Sequence, residues 1–387
     1  MTSTHEVDGH ILTLLRNGEE YFPRLIVALE NATQLIYLET YIFEADATGR
    51  MVATALAQAA QRGVQTHLLL DGFGSASLPK AWLDELRAAG VQVLKFRPQI
   101  SWLTLQRQRL RRLHRKVALI DGRVAFIGGI NIINDIPGGA IVAPRLDYAV
   151  EVRGPVIEDI YAITRQLWTL VAWTNFRRQR LHVSLKKTPG ATQRKVALLV
   201  RDNLRHRRDI EQAYLSAISA AQQEIIIANA YFMPGTHLRH ALLHAVRRGV
   251  KVVLLLQGRV EYHLQHYATL ALYDELLLGG VQIYEYYASF MHAKVAVVDS
   301  YWSTVGSSNI DPFSLWLARE ANLVIYDREF ALTLRADVLQ QMESGAHPVA
   351  HADWRRHNFL RRWLARASYA VVRFLAATVG YGQKYDM

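Results

Sequence analysis

Cysteine is absent from the 387 residues, which excludes disulfides, thiolate metal sites and a cysteine nucleophile. Long apolar runs are missing too. Strand-sized stretches such as Val252–Leu256 are the longest, far short of the roughly 18 uninterrupted residues of a membrane-spanning helix. The opening MTSTHEVDGH has neither a basic region followed by an apolar one nor an Arg-rich amphipathic pattern, so no signal peptide is expected. Acid is in deficit: 34 Asp and Glu stand against 45 Lys and Arg, a net charge of +11. That excess favours polyanionic partners, whether nucleic acid, anionic lipid or phosphorylated substrate, without choosing among them.

What is present is a duplication. LIYLETYIF (35–43) is matched by IIIANAYFM (225–233), and AQAAQRGVQTHLLLDG (57–72) by HAVRRGVKVVLLLQG (244–258). LDELRAAGVQVLKF (83–96) is matched by YDELLLGGVQIYEY (273–286), and HRKVALIDGRVAFIGGIN (114–131) by MHAKVAVVDSYWSTVGSSN (291–309). Four blocks in one order define two α/β units, each a sheet covered by helices. The polar stretch Lys186–Lys195 (KKTPGATQRK) reads as the linker. The chain is therefore divided into a first half at 1–189, a second at 190–345 and a basic C-terminal segment at 346–387.

The fourth block carries chemistry. His114, Lys116, Asp121 and Asn131 recur as His292, Lys294, Asp299 and Asn309, with 17 residues from His to Asn in both copies. Alternation along a strand puts His114 and Lys116 on one face and Arg115, Val117 and Leu119 on the other. An ammonium can hold the anionic oxygens of a phosphodiester while an imidazole attacks phosphorus or moves a proton. Two halves packed face to face would supply a nucleophile, an acid, two Lys and two Asn around one phosphate. A lone H-x-K is usually decoration; its duplication with the same downstream residues is not. A metal site is disfavoured by the Lys beside each His, and no cofactor is called for. Asp121 and Asp299 lie an odd number of residues from their His, hence on the opposite face, which leaves them a supporting role. Asp147 and Glu320, each opening the strand after its motif, suit the task of orienting an imidazole.

These motifs resemble the paired HxKxxxxD signatures of the phospholipase D superfamily. ETYIF, RRGV, VGSSNIDP (305–312) and REANLVIYD (319–327) are further similar to bacterial cardiolipin synthases, especially the shorter B type. The resemblance implies two pseudo-symmetric α-β-α units around one active site, and metal-free transfer of a phosphatidyl group from phosphatidylglycerol through a phosphatidyl-histidine. It implies a catalytic set of His114, Lys116, Asp121, His292, Lys294 and Asp299, with His114 as nucleophile and His292 as acid. Asn131, Ser307 and Asn309 are expected on the phosphate, and Asp147 and Glu320 behind the histidines. Gly129 stands where the second half has Ser307, so the first half is expected to lack one hydroxyl contact.

In Trp354–Leu375, Phe359, Leu360, Trp363, Leu364, Ala367, Ala370, Val371, Phe374 and Leu375 share one helical arc, and Arg361, Arg362, Arg366 and Arg373 another. Such a helix can lie in an anionic lipid interface or dock on the protein's own core. With Ile100–Leu113 as a second candidate contact, the expected setting is peripheral, on the cytoplasmic face of a bacterial inner membrane. A nuclease of the same superfamily and a non-catalytic anion binder are the competing classes; nucleic acid is not the expected partner.

Overall fold

The computed structural model describes residues 3–97, 111–136, 143–174, 194–202, 206–311, 318–351 and 359–380. The linker and half-boundary expected near residue 190, most of Ile100–Leu113 and the start of the Trp354–Leu375 stretch lie outside them.

Each repeat builds a mixed sheet, and the two sheets share one strand order. The first runs Tyr148–Arg153, Val124–Gly128, Lys116–Ile120, Leu35–Thr40, Gln65–Asp71, Gln92–Phe96, with His10–Arg16 and Thr4–Val7 beyond Tyr148–Arg153. The second runs Ala318–Tyr326, Trp302–Gly306, Lys294–Val298, Glu224–Asn229, Lys251–Gln257, Gln282–Tyr286, flanked by Val196–Arg201 and Ala346–Pro348. The β-branched runs of the repeat occupy the central strands, where both faces are covered and a continuous apolar sequence is tolerated. Leu35–Thr40 and Lys116–Ile120, for example, are buried along their whole lengths.

The hairpins of the two His-x-Lys motifs turn where the sequence allows it. Asp121 and Gly122 have φ of 53° and 63°, and Asp299 and Ser300 have 52° and 51°. Two successive positive φ values mark the tight connection whose twist matches the strands, and Asp-Gly is among the pairs that favour it. The Asp side chains then fasten this turn to the neighbouring strand. Asp121 accepts bonds from the backbone amides of Thr33, Gln34 and Leu35 at 2.8–2.9 Å and from the Thr33 hydroxyl at 2.9 Å. Asp299 accepts from the amides of Gln222, Gln223 and Glu224 at 2.8–3.0 Å.

The sheets meet face to face. One buried cluster draws Val117, Leu119, Ile127 and Val150 from the first half and Ile226, Val295, Val297 and Leu323 from the second. Separate clusters under each outer helical layer complete two α-β-α units.

The Phe359–Gly380 helix packs against the His263–Leu270 helix through Ala365, Ser368 and Val372, which are buried, while Arg239 donates to the Tyr369 hydroxyl at 3.2 Å. The predicted apolar arc faces elsewhere: Trp363 is 57% exposed and Phe374 68%. Arg366 is exposed as well. The helix thus has three faces, one docked, one apolar and open, one basic. No helix among the described residues is long and apolar enough to cross a membrane.

Candidate active site

Each histidine segment is bolted to the opposite half. Arg112–Leu113 pairs in parallel with Ala318–Arg319, and the His114 amide donates to the Arg319 carbonyl at 3.0 Å. Leu146 bridges Met291 in the same way, with the His292 amide on the Leu146 carbonyl at 2.7 Å. One residue beyond each carbonyl-bearing strand segment stands a carboxylate, so the pairing crosses the pseudo-two-fold axis. His114 Nδ1 meets Glu320 at 3.0–3.1 Å, and His292 Nδ1 meets Asp147 at 2.6 Å. Neither half can orient its own imidazole.

A cavity of about 400 Å³ opens over this junction, lined by both histidines, Asn131, Asn309 and Asp147 among others. Lys116 and Lys294 lie behind its wall and are almost wholly buried. Each ammonium donates to the carbonyl of its own motif histidine, Lys116 at 2.7 Å. Arg115 points the other way, as strand alternation demands, and forms a buried ion pair with Glu39.

Burial and the concentration of positive charge set the protonation states. Burial pushes Lys116 down to about 7 and Lys294 down to about 8, and Lys294 adds to the depression of Lys116. Both imidazoles are pushed down by burial, His292 the further of the two because Lys294, Lys116 and Arg145 surround it. Asp147 is pushed up to about 7 by burial against the opposing pull of Lys294. An anion bound beside them would let the two buried ammoniums stay charged.

The structure brings His114, His292, Asn131, Asn309, Asp147 and Glu320 together. Asp121 and Asp299, expected in the catalytic set, sit instead at the far ends of the hairpins, holding backbone amides. Ser307, expected on phosphate, is fully buried: its hydroxyl donates to Glu320 at 2.5 Å and accepts from the Ala321 amide at 3.1 Å. At Gly129 a Cβ would lie 2.2 Å from Asp147 Oδ1, so the shorter carboxylate leaves no room for a serine there. What the first half lacks is a hydroxyl behind its carboxylate.

Sequence reasoning missed several cavity residues. Tyr41 packs its ring 4.9 Å from that of His114, and Tyr231 donates to Glu261 at 2.6 Å. Both occupy the same place in the first repeat block, a signal that was available. Arg112, Arg145 and Glu261 had none, because the other half carries a different residue type at each equivalent position. Among the described residues, no group of three or more His, Asp or Glu is placed to hold a metal.

Fold and site define a two-lobed enzyme class in which duplicated imidazole–ammonium strands enclose one anion-sized site. A family model described as "Cardiolipin synthase, PLD-like domain" matches residues 25–135 and 214–342. The chain is 43% identical over 331 residues to cardiolipin synthase B of Escherichia coli (strain K12), covering 85% of this chain and 79% of that protein. It is 44% identical over 332 residues to cardiolipin synthase B of Salmonella typhimurium, with the same coverage. The chain belongs to the cardiolipin synthase family of phospholipase D-like proteins. Among solved structures, the phosphatidylserine synthase of Haemophilus influenzae shares the fold, with a TM-score of 0.69, 14% identity and 94% of each chain covered.

Proposed function

We propose that the protein transfers a phosphatidyl group from one phosphatidylglycerol to another, giving cardiolipin and glycerol, at the cytoplasmic face of an anionic membrane. The observation that carries this is the exchanged pair: two imidazoles in one cavity, each backed by a carboxylate from the other half. His114, unprotonated at the attacking nitrogen, attacks phosphorus, and His292 in its imidazolium form, held through Nδ1 by Asp147, gives its other ring proton to the departing glycerol and is left neutral. The phosphatidyl-His114 so formed is attacked by the hydroxyl of a second lipid, whose proton passes to His292; the N–P bond breaks and His114 is restored. Glu320 and Asp147 stabilise the imidazolium forms, Lys116 and Lys294 neutralise the phosphoryl oxygens, and Asn131 and Asn309 line the phosphate position. No metal takes part.

Membrane contact falls to the open apolar face of the C-terminal helix. Trp363, Val371 and Phe374 can enter the lipid interface while Arg366 and its neighbours meet anionic headgroups, at about 1 kcal/mol per basic residue near the surface. The test is product analysis with phosphatidylglycerol vesicles and, separately, DNA. Cardiolipin and glycerol in equal amounts support the proposal. Phosphatidic acid as the sole lipid product, or cutting of DNA without lipid turnover, refutes it.

A further inference from the structure

The two ends of the cavity are built on equivalent backbone and yet carry different chemistry. At the His114 end, Tyr41 packs on the imidazole, the Lys116 ammonium lies 5.5 Å from that ring's centroid, and Arg112 stacks over Phe73 at 5.1 Å. Asp135 and Asp311 line the cavity as well. At the His292 end the tyrosine equivalent to Tyr41 is Tyr231, whose hydroxyl donates to Glu261 at 2.6 Å. Glu261 also receives Arg145 at 3.3 Å, and Arg145 packs over Phe290 at 5.6 Å.

Neither charged group has a counterpart across the axis. In the repeat register Ser75 occupies the place of Glu261 and bonds the Tyr41 carbonyl at 2.8 Å, while Ala318 occupies that of Arg145. The pair is an addition to the pseudo-symmetric frame at one end only. Both side chains line the cavity and keep about a fifth of their surface exposed, 19% for Arg145 and 23% for Glu261. The buried Nε of Arg145 has no hydrogen-bond partner among the described residues, so its guanidinium retains donor capacity that Glu261 does not use.

We infer that Arg145, Glu261 and Tyr231 form the subsite that selects the acceptor alcohol, recognising a phosphoglycerol headgroup. The inference rests on the phosphatidyl-transfer reading above and gives it a specificity. A phosphoglycerol headgroup carries free hydroxyls and an anionic phosphate on one three-carbon unit. Glu261, oriented by the Tyr231 hydroxyl, accepts from a hydroxyl, and Arg145 pairs with the phosphate of that same acceptor. The reacting hydroxyl is then held beside His292, which takes its proton as oxygen bonds to phosphorus and the N–P bond of phosphatidyl-His114 breaks. In the first half-reaction the departing glycerol leaves through the same subsite without a second phosphate, and Glu261, with Asp135 nearby, neutralises Arg145. Water and simple alcohols have neither handle.

The test measures three reactions of the full-length protein on phosphatidylglycerol vesicles: cardiolipin formation, exchange with labelled free glycerol, and transfer to ethanol. Ratios between reactions are read, so the amount of folded protein cancels. In Arg145→Gln the cardiolipin-to-ethanol ratio should fall about tenfold to a hundredfold, the worth of a charge-assisted bond, while glycerol-to-ethanol changes less than about twofold. In Glu261→Gln both ratios should fall. Either variant suffices if the other loses turnover. Unchanged ratios in whichever variant turns over, or loss of all turnover in both, overturns the inference while leaving phosphatidyl transfer standing. Wild-type protein that performs none of the three reactions overturns both.

Discussion

Replacing Lys116 with methionine should make the protein more stable and inactive. The side chain is 3% exposed, and its ammonium is pushed from an ordinary 10.5 down to about 7, chiefly by burial and then by Lys294. A depression of that size corresponds to ~5 kcal/mol of penalty on the charged form in the folded state. Because the folded protein binds the proton less tightly than the unfolded chain, the penalty is fully present below pH 7 and fades as pH rises from 7 towards 10.5. Methionine keeps the length of the chain without the charge, at the cost of the bond to the His114 carbonyl, worth about 1–3 kcal/mol if that carbonyl is left unpaired. The net gain at pH 6 should be ~2–4 kcal/mol, and it should be smaller by about 2–3 kcal/mol at pH 9. Transfer activity should fall at least about a hundredfold, as expected when a preorganised charge at the phosphoryl group is removed. Denaturant unfolding of both proteins at pH 6 and pH 9, beside the lipid-transfer assay, supplies all the numbers. A variant less stable than its parent at pH 6, or a stability difference independent of pH, would refute the claim that function here is bought with buried charge.

Asp121→Ala should cost about 1–3 kcal/mol, since it strips partly exposed bonds from three backbone amides and a hydroxyl, while activity per folded molecule is kept; thermal melts and assays on the folded fraction separate the two effects. Ser307→Ala removes the hydroxyl donor from Glu320 and should lower kcat about tenfold with little change in KM, measured on a short-chain soluble substrate. Activity should survive EDTA; loss restored by a divalent cation contradicts the metal-free route. Trp363→Asp with Phe374→Asp, or removal of residues 354–387, should lower vesicle co-sedimentation and activity on bilayers while sparing turnover of the soluble substrate; equal binding would assign membrane contact to another surface.

The duplication made the architecture legible, because four blocks in one order can only build matching sheets, and strand alternation separated His114 and Lys116 from Arg115. It also made the role of Asp121 and Asp299 readable as something other than contact with the imidazole, since an odd spacing sends them to the opposite face. What single-strand reasoning could not reach was the exchange of carboxylates. Asp147 follows the first motif and Glu320 the second, yet each serves the histidine of the other half, a consequence of sheet packing rather than of local sequence. Ser307 was misplaced for a related reason: a hydroxyl near a phosphate motif reads as a phosphate ligand until Glu320 is seen behind it. The C-terminal helix was read with one apolar face, whereas the small residues Ala365 and Ser368, which carry little hydrophobic signal, are the ones that dock.

The central claim is that the two halves form one site in which His114 carries the phosphatidyl group and His292 handles protons. It is tested most directly with a phosphatidyl ester of p-nitrophenol, whose leaving group needs no proton, followed by rapid quenching and peptide mapping of the adduct. His292→Ala should accumulate a phosphatidyl group on His114, and His114→Ala should accumulate none. An adduct on His292 in His114→Ala would reverse the roles, and no adduct in either variant would contradict the covalent mechanism.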